Sequence, residues 1–118
     1  MNRGLKMLTF QAAALVSSAL LLSGVAAMSR AAPAPAPAAV QIGNFTFNSK
    51  LVTVKAGTTV TWTNADDIPH TVVSKEGVFR SKVLDTGDKF SFTFAKPGQF
   101  GYYCSLHPHM TGTVVVKA

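Results

Sequence analysis

The stretch KFSFTF (residues 89–94) sets Phe90, Phe92 and Phe94 on one face of an extended chain, with Ser91 and Thr93 on the other. Successive side chains of a strand point to opposite faces, so this two-residue period reads as a half-buried β-strand. TTVTWTN (58–64) repeats the pattern: Val60 and Trp62 point one way, Thr59, Thr61 and Thr63 the other. Moving outward, NFTFN, LVTVKAG, HTVVS, FRSKVLDTG, QFGYYC and TGTVVVKA supply further short strands, and Gly57, Gly77, Gly87 and Pro97-Gly98 mark turns between them. No stretch after residue 40 keeps a helical period for three turns. The expected fold is all-β, a Greek-key sandwich of about eight strands over residues 40–118, with Trp62 and the phenylalanine stripe as core.

The preceding residues have a different character. Arg3 and Lys6 give residues 1–27 a basic start, and an apolar run follows to Ala27. Val25-Ala26-Ala27 offers the small residues an export peptidase requires, so 1–27 reads as a signal peptide. The alternative is an uncleaved anchor, although the apolar run is interrupted and shorter than the ~20 residues a spanning helix needs. Residues 28–39 contain AAPAPAPAA, an extended Ala/Pro linker. These readings place the domain outside the cytoplasm, in the periplasm.

From residue 32 onward eight Lys and Arg face five Asp and Glu, spread along the chain without a cluster. That excludes a nucleic-acid footprint. The folded part holds one cysteine, so no intramolecular disulfide can staple it.

That cysteine lies in YYCSLHPHMTG (102–112), which also carries two of the three histidines and Met110, the only methionine after residue 28. Cys104, His107 and Met110 recur every third residue. Three residues of chain span at most about 10 Å, so a curled loop can aim all three side chains at one point. His70, after Pro69 at the start of another expected strand, is the remaining donor. Neighbouring residues of an extended chain point apart, so His109 and Met110 should not face one ion, and His109 is expected on the outer rim with Pro108. Structural zinc prefers Cys and His in fours, and haem attachment or a cysteine-ligated iron–sulfur cluster needs more cysteines. Two imidazoles, a thiolate and a weak thioether are the donor set of a blue-copper electron-transfer site.

DIPHTV, with Asn64 six residues before His70, and YYCSLHPHMTGTVVV resemble the small cupredoxins, and the Cys-x2-His-x2-Met loop is similar to that of the amicyanins. The resemblance implies one type 1 copper ion held by His70, Cys104, His107 and Met110. It implies that Asn64 ties the His70 loop to the Cys104 loop by hydrogen bonds beside the thiolate. It also implies one-electron transfer between transient redox partners, such as a dehydrogenase or oxidase and a c-type cytochrome, by a monomeric carrier that is not an enzyme. His109 stands where amicyanins commonly have an aromatic or apolar residue, inside the patch where partners dock. Periplasmic copper storage or delivery is the alternative use of the same donors. A Cys-His hydrolase lacks an orienting third residue and an oxyanion loop.

Overall fold

The computed structural model describes residues 33–118; the signal peptide read at 1–27 lies outside them. Eight strands run β1 Ala38–Gly43, β2 Thr46–Asn48, β3 Leu51–Lys55, β4 Thr58–Asn64, β5 Val73–Ser74, β6 Lys89–Phe94, β7 Gly98–Cys104 and β8 His107–Lys117. They form two four-stranded sheets, ordered β2-β1-β4-β6 and β3-β8-β7-β5. Each sheet is mixed: β1 lies parallel to β4, and β3 parallel to β8, while the other neighbours are antiparallel. The fold is all-β, as the alternation requires.

The two quoted stretches pair with each other. In β4 and β6, Val60 lies opposite Phe92 and Trp62 opposite Phe90, which puts their apolar faces on the same side of one sheet. Trp62 and Phe94 are buried, and Trp62 packs on Phe79, Phe90, Phe94 and Tyr102. On the outer face Thr59 meets Thr93, and Thr61 meets Ser91, in hydroxyl pairs 2.7 Å apart. Apolar contacts inside and cross-strand hydroxyl pairs outside are what select this register.

Three elements differ from the sequence reading. Strand β1, Ala38–Gly43, precedes NFTFN and is not among the expected strands; its first two residues belong to the Ala/Pro stretch and pair with Val60 and Thr61. HTVVS contributes only Val73 and Ser74 to a strand; residues 70–74 are all buried, so two-sided burial replaces alternation there. FRSKVLDTG is not a strand. Its backbone pairs with the preceding segment through isolated bridges, His70 to Leu84 and Val73 to Arg80. Between these, Ser81 Oγ accepts the Val72 N–H and donates to the Lys82 carbonyl, so a side chain bonds where a ladder would run.

Candidate metal centre

The donors gather at one end of the sandwich, where β4 and β7 finish and β8 begins. Strand β7 ends at Cys104, which pairs with His107 across a two-residue turn of Ser105 and Leu106. Pairing resumes only at Tyr103 and Thr111, leaving Pro108, His109 and Met110 without partners on β7. Where the sequence reading places a loop up to Met110, its donors instead flank this two-residue turn, Cys104 at the end of β7 and His107 and Met110 on the bulged start of β8. Within it Met110 is buried, whereas Pro108 and His109 are exposed. His70 is fully buried, held by reciprocal backbone bonds with Leu84 at 3.1 and 2.7 Å.

Ligand atoms of His70, Cys104 and His107 lie within 4.8 Å of one another. Cys104 Sγ stands 3.7 Å from His70 Nδ1 and 3.7 Å from His107 Nδ1. Bond lengths of about 2.0–2.3 Å to one ion, at the wide angles of a trigonal site, separate such atoms by slightly under 4 Å. Both sulfur–nitrogen distances thus suit a single ion between them. Met110 lines a surface depression of about 390 Å³ together with Phe45, Leu106, His107, Pro108 and His109.

The thiol is prepared for a metal. Burial pushes Cys104 upward, but the hydrogen bonds around the sulfur, that from the Thr71 N–H foremost, outweigh it and bring the thiol down to about 6 from 9.0. The Thr71 N–H lies 3.3 Å from the sulfur.

The link between the two ligand loops differs from the expected one. Asn64 is buried, but its side-chain amide donates to the Ile68 and Leu84 carbonyls at 2.9 and 2.8 Å, and its oxygen accepts the Asp66 N–H at 2.9 Å. It braces the His70 loop from below and makes no bond to the Cys104 loop. Thr71 makes that connection instead: its Oγ1 accepts the Ser105 N–H at 2.7 Å and lies 2.7 Å from Ser105 Oγ. The reason is position. Asn64 closes β4 in the opposite sheet, whereas Thr71 follows a ligand directly and faces β7. Its place next to His70 was the available signal.

Two further residues escaped the sequence reading. Asp66 Oδ2 lies 2.9 Å from His70 Nε2. A carboxylate only accepts, so Nε2 carries the hydrogen and Nδ1 turns its lone pair toward Cys104. The His70 ring and then the Phe45 N–H hold the Asp66 carboxyl at about 2, below its usual 3.8. The Phe45 ring stands T-shaped against His107 and His70, with centroids 4.9 and 5.7 Å away.

The profile of a family described as copper binding proteins, plastocyanin/azurin family, matches residues 36–117. The chain belongs to that family. It is 35% identical to amicyanin-alpha of Methylorubrum extorquens over 119 residues, 96% of this chain and 100% of the relative. It is 37% identical to the amicyanin of Paracoccus versutus over 93 residues, 74% of this chain and 70% of that one. Among solved structures it resembles a purple cupredoxin from Nitrosopumilus maritimus, with TM-score 0.64 and 36% identity, covering 68% of this chain and 99% of that one. Copper is therefore the metal of this cupredoxin, and the cluster of His70, Cys104, His107 and Met110 suits one type 1 ion.

Proposed function

We propose that this cupredoxin is a periplasmic single-electron carrier, with His70, Cys104, His107 and Met110 as its copper ligands. Copper, when bound, supplies a Cu(II)/Cu(I) couple. The chain supplies the frame: Cys104 offers a thiolate at neutral pH, and His70 offers Nδ1 from a ring fixed at its other nitrogen. Thr71 holds sulfur and turn together, so the donors keep their positions when the charge at the centre changes by one. A fixed frame keeps reorganisation small, and four side-chain ligands leave no open position for a substrate. That argues for a carrier over an enzyme. His107, half-buried on the rim, is the port for electrons, with Phe45, Leu106, Pro108 and His109 as the surface a partner meets. The partners are redox proteins, a dehydrogenase or oxidase and a c-type cytochrome, met transiently by a monomer.

The observation that carries this reading is the burial of Cys104 and His70, both fully enclosed and bonded before any metal enters. Copper storage or delivery requires easy metal release, which this enclosure opposes. Repeated ascorbate reduction and reoxidation in the presence of a copper chelator separates the two. A carrier retains its copper and its colour through many cycles; transfer of copper to the chelator within the first cycles contradicts the proposal.

A further inference from the structure

The turn between β1 and β2 carries two consecutive non-glycine residues in the left-handed region, Asn44 at φ 50° and Phe45 at φ 56°. Bulky residues rarely adopt that conformation. Phe45 gains little burial from it, since it remains 45% exposed. What it gains is placement. Its N–H donates to Asp66 Oδ2 at 3.1 Å, the oxygen that also accepts from His70 Nε2 at 2.9 Å. Its ring meets His107 at 82° and His70 at 88° between planes. One strained residue therefore touches both imidazoles and holds the carboxylate that orients one of them.

We infer that Phe45 and Asp66 form an outer clamp that fixes both histidine rings before copper arrives, which makes them positioning residues for the centre. This rests on the ligand assignment above. A metal-free site has a problem of its own making. Nδ1 of His70 faces the Cys104 sulfur, a hydrogen-bond acceptor, at 3.7 Å, and an imidazole hydrogen placed on Nδ1 covers the lone pair copper needs. The Asp66 carboxylate competes for that hydrogen at Nε2 and keeps Nδ1 free. Among the described residues His107 has no carboxylate partner, and its ring is steadied by the T-shaped contact with Phe45.

Two-bond proton–nitrogen NMR of the metal-free protein reads the His70 tautomer directly. The wild type shows the hydrogen on Nε2, and Asp66→Ala moves it toward Nδ1. Phe45→Gly keeps the backbone donor and suits the left-handed turn, so it retains its thermal stability while the His107 ring signals broaden. Both variants bind copper(II) about 10–100-fold more weakly. Asp66→Asn keeps an acceptor but loses the negative charge, so its reduction potential rises above that of the wild type. An unchanged tautomer in Asp66→Ala overturns the inference, as does wild-type copper affinity in Phe45→Gly. An unchanged potential in Asp66→Asn does the same. A wild type that takes up copper without a thiolate band refutes the ligand assignment, and the metal-free tautomer still decides the clamp.

Discussion

The backbone N–H of Thr71 points at the sulfur of Cys104 from 3.3 Å, while the Thr71 hydroxyl grips Ser105 on the same turn. One residue thus steadies the thiolate and joins the two loops that carry the ligands. The N–H makes the closer contact to the sulfur and the hydroxyl, 3.8 Å from it, makes the bond to the turn, so substitution largely separates the two. Thr71→Val removes the hydroxyl and leaves the N–H. Ser105 is exposed and water replaces part of its loss, so the cost is about 1 kcal/mol in urea denaturation of the metal-free protein. The thiolate-to-copper band of the loaded protein stays in place. A displaced band with unchanged stability contradicts this division.

The metal-free protein should carry a pH signature of Cys104. Its thiol titrates at about 6 when folded and near 9.0 when unfolded. Between those values the unfolded chain binds more protons, so the stabilisation grows with rising pH, is complete above about 9, and is lost as pH falls through about 6. Denaturation midpoints of the wild type and Cys104→Ser, followed across that window, should diverge in favour of the wild type. A constant difference contradicts a thiolate in the metal-free fold.

Packing beside the site sets a third expectation. A Cβ added at Gly112 falls 2.4 Å from Tyr102 Cζ and 2.5 Å from its hydroxyl. Tyr102 is fully buried and cannot retreat, so Gly112→Ala should cost about 1–3 kcal/mol by overpacking. Gly43→Ala, whose nearest contact is an ordinary 3.8 Å, is the control and should stay within about 0.5 kcal/mol. Equal effects in a melting experiment refute the steric argument.

His109 is exposed on the bulge beside Met110 and lines the same surface depression as His107. His109→Phe should leave the spectrum of the copper-loaded protein unchanged and alter the rate of electron exchange with a redox partner, measured by stopped flow. A lost or markedly shifted thiolate band contradicts the assignment of the loop histidines.

Much of this was legible in the sequence because two signals are local. Alternation over 58–64 and 89–94 specifies strands whose partner is each other, and donors at every third residue near one cysteine specify a metal loop. Where burial is two-sided, as over 70–74, alternation vanishes and strand length cannot be read. FRSKVLDTG misled because Phe79, Ser81 and Leu84 are buried at uneven spacing, an arrangement that follows the gap between sheets and not a ladder. The outer partners of the site were hidden for a similar reason. Thr71, Asp66 and Phe45 act through single atoms aimed by loop conformation, and neither periodicity nor residue type announces that. Asn64, which residue type did single out, serves the His70 loop alone.

The central claim is that Cys104, His70 and His107 hold copper strongly and Met110 tunes it weakly. The most direct measurement is the visible spectrum and reduction potential of the copper-loaded wild type beside Cys104→Ala and Met110→Ala. The account predicts an intense thiolate-to-copper band in the wild type that ascorbate bleaches reversibly. It predicts no such band in Cys104→Ala, and a retained band with a shifted potential in Met110→Ala. Copper bound by the wild type without that band, or equal loss of colour in the two variants, contradicts it.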